Sequence, residues 1–248
     1  MKKETYEAIK NFILTFAKRV VAAPYTTEEL KRAFPFHAIF FPEEALISFK
    51  QQRTLVTRMG LQLYPAVAEI VAKDKYSKVY RNYEISSELD VALVTIVDTI
   101  INELRAQKRK PNYHLETQEI LTSAKKGTNR NIRVIADLFI GDFESGPLFF
   151  EIKSPRPNLE VCAESKKKML FFRAIYTNKN PQAFLAFPYN PFIYRDKYAH
   201  SFTKQIMDME NEVLLGEEMW NLLGGKGTYD QLMEIIEEVR YELKKKSE

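Results

Sequence analysis

Three charged side chains interrupt two apolar segments near the middle of this sequence. Asp137 lies in the first segment, at residues 134–140, and Glu151 lies with Lys153 in the second, at residues 148–153. The residues between the segments are mostly polar and include two glycines and a proline, which is typical of a turn between paired strands. We therefore expect a β-hairpin that brings Asp137 close to Glu151.

Glu151 and Lys153 are two residues apart, and in a β-strand the side chains of such residues lie on the same face. Two carboxylates repel each other in an apolar sheet and are costly to bury unless a cation joins them. A divalent metal ion is the simplest such cation. The alternative is that these are ordinary charges on the solvated face of an antiparallel sheet. The unbroken apolar residues before Asp137 and before Glu151 argue against a solvated face.

The spacing of these residues resembles a known nuclease signature. Asp137, a turn and then Glu151-Ile152-Lys153 resemble the D…(D/E)-x-K motif of the PD-(D/E)XK nuclease superfamily. The longer stretch at residues 135–168, IADLFIGDFESGPLFFEIKSPRPNLEVCAESKKK, resembles the TdeIII group of type II restriction endonucleases. The residue before Asp137 is Ala136, where the superfamily name has proline.

The resemblance implies a Mg²⁺ site and assigns a role to each residue. Asp137 and Glu151 would be metal ligands, and the main-chain carbonyl of Ile152 would add a third oxygen, in keeping with the preference of Mg²⁺ for oxygen. Lys153 would orient or help to deprotonate the attacking water and offset the developing phosphate charge. The expected catalytic residues are thus Asp137, Glu151 and Lys153.

The resemblance also implies an α/β fold in which a mixed central sheet is flanked by helices. We predict one nuclease domain over residues 1–248, with a helical N-terminal part at about 1–110, a catalytic core at about 111–200 and C-terminal helices at about 201–248. Within the core, the apolar pattern predicts a helix at 159–176 and a short buried strand at 183–187.

Basic residues cluster close to the predicted hairpin. We expect these side chains to neutralise backbone phosphates of DNA, although most charge runs are merely solvated. The candidates are Lys125, Lys126, Arg130, Lys166 and Lys167. The superfamily often adds a third acid from a helix before the Asp strand. Its candidates here are Asp90, Glu103 and Glu119, among which the sequence does not choose.

The net charge, the cysteine content and the lengths of the apolar runs limit the classes of protein to which this sequence can belong. The formal net charge is +4, which permits nucleic-acid binding without requiring it. The single cysteine, Cys162, excludes an intrachain disulfide and favours a reducing cytoplasm. The sequence has no apolar run long enough for a membrane span, and its N-terminus does not resemble a secretory signal.

The resemblance predicts a type II restriction endonuclease that makes Mg²⁺-dependent double-strand cuts. Members of the resembled group act on the palindrome GGNCC, and a two-fold symmetric homodimer reads a palindrome most simply. The family also implies a cognate DNA methyltransferase. Two alternatives stay open, namely a structure-selective repair or recombination nuclease, and a non-catalytic basic DNA-binding protein.

Overall fold

A computed structural model describes residues 1–21, 25–123 and 127–245, with the backbone alone at 20 and 21. The chain forms two compact units. The first unit consists of residues 68–229 together with Met1, and the second consists of residues 2–67 and 230–248. The prediction of one nuclease domain over residues 1–248 stays a prediction. No helix in the described parts of the chain is long and apolar enough to cross a membrane.

The first unit is built on a five-stranded mixed sheet. Its strands, in both chain order and spatial order, are β1 (Val79–Asp90), β2 (Asn129–Ile140), β3 (Leu148–Ile152), β4 (Gln182–Phe187) and β5 (Val213–Leu215). The pairs β1–β2 and β2–β3 are antiparallel, whereas β3–β4 and β4–β5 are parallel. The expected hairpin and the expected mixed sheet are therefore present.

Helices surround this sheet and make up the second unit. In the first unit they are α6 (Val91–Arg105), α7 (Tyr113–Leu121), α8 (Leu159–Ile175), α9 (Ser201–Ile206) and α10 (Glu217–Gly224). In the second unit they are α1 (Lys3–Val21), α2 (Thr27–Ala33), α3 (Pro35–Phe40) and α4 (Glu43–Arg58), with a π-helical turn at Met59–Leu63. The unit boundaries fall within α5 (Tyr64–Lys73) and α11 (Thr228–Lys245).

Helix α8 packs on the face of the sheet to which Phe149 and Glu151 point. The Phe172 ring of α8 lies 5.0 Å from the ring of Phe149 on β3 and 6.2 Å from the ring of Phe139 on β2. All three rings are buried in the main core. Because alternate residues of a strand share a face, Glu151 points to the same side of β3 as Phe149 and therefore toward α8.

Strand β1 was not predicted. The sequence predicted a helical N-terminal part at about 1–110, but β1 occupies Val79–Asp90 within it and α6 begins only at Val91. β1 lies at the edge of the sheet, and most of its residues are polar and at least partly exposed, so it lacks a buried apolar run. Asp90 caps α6 by accepting a hydrogen bond from the Ala92 N–H at 2.8 Å.

Candidate active site

The site begins where β2 and β3 separate. Leu138 pairs with Phe150 at the end of the β2–β3 ladder. Two residues further along β3, the Ile152 N–H donates to Asp137 Oδ2 at 2.8 Å. The Asp137 carboxylate thus replaces a main-chain carbonyl as the acceptor for β3 and is held at the fork between the strands.

A bend in the neighbouring strand coincides with this fork. Asn82 of β1 has a φ of 49°, and the pairing of the residues on either side of it places it opposite Asp137. Asparagine enters the left-handed region more readily than most residues, so it suits such a bend. Beyond the bend, the Tyr83 ring stacks on the Phe139 ring at 4.5 Å.

The three predicted catalytic residues meet at the fork. Lys153 Nζ lies 2.6 Å from Asp137 Oδ2 and 3.0 Å from Glu151 Oε2, so one ammonium bridges both carboxylates. The other oxygen of Glu151, Oε1, contacts the ammonium of Lys168 on α8. The cluster therefore contains two carboxylates and two ammonium groups, and its formal charges balance.

Burial tunes the ionisation of this cluster. Glu151 is fully buried, and burial raises its pKa to about 7 despite the opposing charges of Lys153 and Lys168; the Asp137 charge raises the pKa further. Burial alone would lower the pKa of Lys153, but the charges of Glu151 and Asp137 outweigh it and raise that pKa. Lys153 is therefore a stable ammonium here, which suits an electrostatic role better than proton abstraction.

The main-chain carbonyl of Ile152 points toward β2, the neighbouring strand that carries Asp137. The N–H and the C=O of one strand residue point toward the same neighbouring strand, and the Ile152 N–H already reaches Asp137. Two carboxylates and a carbonyl are the hard oxygen donors that a divalent ion such as Mg²⁺ prefers. Among the described residues, no group of three or more His, Cys, Asp or Glu side chains could hold a metal ion.

None of the three candidate third acids joins the fork. Asp90 lies eight residues along the sheet from Asp137, about 26 Å at the rise of a strand. It accepts hydrogen bonds from the N–H groups of Ala92 and Gly127 instead. Glu103 and Glu119 both pair with Arg109, Glu103 at 3.2 Å.

The predicted DNA contact of Lys166 is wrong. Its side chain is fully buried, and its ammonium contacts Glu116 of α7 and Glu212, which precedes β5. Arg173 of α8 completes this buried ion cluster, 2.8 Å from Glu212. Helical spacing could have indicated this position, because Lys166 lies on the same face of α8 as the buried residues Cys162 and Met169.

Two other predicted DNA contacts, Lys167 and Arg130, are at least partly accessible. Lys167 pairs with Asp98 of α6 at 2.7 Å and keeps about a third of its side chain exposed. Arg130 is exposed on β2, seven residues from Asp137. Lys125 and Lys126 lie outside the described residues.

Lys168 is the site residue that sequence reasoning did not single out. Its signal was present in the run of three lysines at 166–168, but the run alone does not tell which lysine faces which way. Successive helical residues are about 100° apart, so the three side chains leave α8 in different directions. In the structure, Lys166 joins the buried ion cluster, Lys167 contacts α6 and Lys168 contacts Glu151.

Comparisons with known proteins identify the family of this chain. The model of the type II restriction endonuclease family HinfI matches residues 1–240. Type II restriction enzyme HgiCII of Herpetosiphon aurantiacus is 34% identical over 210 residues, which cover 83% of this chain and 77% of that enzyme. HgiEI of the same organism is 35% identical over 213 residues, covering 83% and 76%.

A more distant relative is the type II restriction enzyme MjaII of Methanocaldococcus jannaschii, 26% identical over 202 residues, which cover 75% of this chain and 53% of that enzyme. No solved structure gave a significant match. The predicted type II restriction endonuclease is thus confirmed, and the matching family model is described as HinfI. The chain belongs to the HinfI family of type II restriction endonucleases, site-specific enzymes that bind and cut double-stranded DNA.

Proposed function

We propose that this enzyme has a PD-(D/E)XK core and makes Mg²⁺-dependent double-strand cuts with Asp137, Glu151 and Lys153. The observation that carries the proposal is the shared ammonium of Lys153, which contacts both carboxylates at the β2–β3 fork. Two acids from adjacent antiparallel strands are thus already placed to share one cation. The order of Asp137 on β2 and Glu151-x-Lys153 on β3 supports the same core.

In this proposal Asp137, Glu151 and the carbonyl of Ile152 hold the metal ion. When bound, Mg²⁺ supplies charge neutralisation at the phosphate and activation of water. Lys153, an ammonium on the same strand as Glu151, orients the attacking water and offsets negative charge that develops on the phosphate. Lys168 fixes the orientation of Glu151 from α8.

The finer parts of the proposal concern the DNA. The enzyme would act as a homodimer on a short palindrome, with GGNCC as the first sequence to test, because two-fold symmetry matches a palindrome. Arg130 and Lys167 would contact backbone phosphates and carry part of the salt-dependent affinity. A cognate methyltransferase would protect the same sequence in the host.

Plasmid cleavage tests this proposal. The purified enzyme is incubated with unmethylated plasmid DNA with and without Mg²⁺, and the ends of the products are mapped by sequencing. We expect discrete fragments that require Mg²⁺ and share one palindromic sequence at their ends. Cutting that follows branches or flaps rather than sequence would favour a structure-selective nuclease, and the absence of cutting across all substrates would contradict hydrolysis at this site.

A further inference from the structure

A second loop lies beside the candidate active site. β3 and β4 are parallel, so the segments that follow them, residues 153–158 and 188–200, leave the same end of the sheet. The Tyr198 hydroxyl donates to the Pro155 carbonyl at 2.6 Å, and the Arg156 guanidinium lies 5.0 Å from the centre of the Phe192 ring. Arg156 is three residues from Lys153, at most about 11 Å along an extended chain.

The tip of the 188–200 loop is strained. Ile193 has a φ of 67°, and the Tyr194 N–H donates to the Phe192 carbonyl at 2.8 Å across it. This is a γ-turn of the rare positive-φ form, which is strained. Positive φ is especially unfavourable for a β-branched residue. Ile193 is also 77% exposed, so burial in this chain does not offset the strain.

The strained tip is fixed by the residues around it. The Phe192 N–H donates to Asn190 Oδ1 at 2.9 Å, and the Ile193 N–H donates to the Asn190 carbonyl at 3.1 Å. The Phe192 ring packs 5.2 Å from the ring of Tyr198, which is fully buried. The loop therefore exposes the apolar side chain of Ile193 to solvent and holds the Ile193 backbone in an unfavourable conformation. Strain of this kind concentrates at ligand-binding and catalytic sites.

Two exposed cations lie near the tip, and one of them is paired with an acid. Arg156 is exposed, and Lys197 keeps 69% of its side chain exposed while it pairs with the equally exposed Asp196. Apolar side chains read base edges, for example the thymine methyl group in the major groove. We propose that Ile193 is a specificity-determining residue that makes an apolar contact with a base of the bound duplex, next to the cut site. The inference rests on the proposed function above.

The test replaces Ile193 by glycine, which removes the side chain and adopts positive φ without strain. We expect the thermal unfolding midpoint of Ile193→Gly to equal or exceed that of the wild type. Affinity for a fluorescent duplex that carries the mapped site, measured in Ca²⁺, should fall about 10-fold. Cleavage at sites with one changed base should rise about 10-fold relative to the mapped site. A residue with only a structural role would not lower affinity while stability is kept.

The matched control is Gln107→Gly, because Gln107 is also exposed and has a φ of 56° at the end of α6. It should leave duplex affinity and site preference unchanged. The inference is overturned if Ile193→Gly binds and discriminates like the wild type, or if both Ile193→Gly and Ile193→Asn lose stability together with binding. If the wild type cuts no DNA, the proposed function and this inference both fail. If the wild type cuts normally but Ile193→Gly gives one of the contradicting results, only the inference about Ile193 fails.

Discussion

Replacing Lys166 by methionine tests the buried ion cluster on the far side of α8 from Lys168. The cluster contains two cations, Lys166 and Arg173, and two anions, Glu116 and Glu212. All four side chains are buried, so Lys166→Met leaves two buried carboxylates with one cation. Breaking a buried ion pair by removing one partner costs about 3–5 kcal/mol. For a protein of this size that corresponds to a fall of about 6–20 °C in Tm.

The charge-balanced double variant Lys166→Met/Glu116→Gln separates charge from packing. It leaves one anion, Glu212, with one cation, Arg173, and we expect it to recover more than half of the lost free energy of unfolding. Urea denaturation followed by circular dichroism measures both variants and their coupling. A loss below about 1 kcal/mol for Lys166→Met, accompanied by weaker DNA binding, would refute the buried role and restore Lys166 as a DNA contact.

Three further predictions follow from particular contacts. Asn82→Ala should cost about 1–2 kcal/mol because alanine is strained at positive φ, whereas Asn82→Gly should cost little; equal urea midpoints for the two variants would contradict the bend. Lys168→Met should slow cleavage about 10- to 100-fold because Glu151 loses a supporting cation, and Lys168→Arg should keep most of the rate; a full rate for the methionine variant would show that the contact is dispensable. Stability should fall as the pH drops below about 4. Burial alone would raise the pKa of Glu212, but the charges of its cationic neighbours outweigh burial and lower that pKa. Burial alone would likewise raise the pKa of Asp208, but its N–H donors lower it. A carboxyl with a lowered folded pKa stabilises the fold above its unfolded pKa, and this contribution is lost as the pH falls through the folded pKa. A urea midpoint at pH 3 equal to that at pH 5 would disprove this.

The hairpin could be predicted from the sequence because its information is local. Apolar runs with a turn between them define β2 and β3, and the two-residue spacing of Glu151 and Lys153 fixes their common face. The approach of Asp137 to Glu151 followed from the pairing of the two strands. The structure adds the Ile152 N–H as the group that holds Asp137.

What the sequence did not predict depends on contacts between distant segments. β1 is a polar edge strand, so its strand character comes from pairing with β2 rather than from its own pattern. The contrasting environments of Lys166 and Lys168 depend on Glu212 and Glu151, which lie on other elements. The left-handed φ of Ile193 is likewise set by the packing of the 188–200 loop, because isoleucine does not favour it.

The most direct test of the central claim is single-turnover cleavage of the mapped duplex by Glu151→Gln. The matched control is Glu144→Gln, because Glu144 lies in the turn at the other end of the same hairpin, where it pairs with Lys75 at the surface. We predict that Glu151→Gln still binds the duplex but cuts it at least about 100-fold more slowly in Mg²⁺, while Glu144→Gln cuts at the wild-type rate. Wild-type cleavage by Glu151→Gln would contradict the assignment of the β2–β3 fork as the active site.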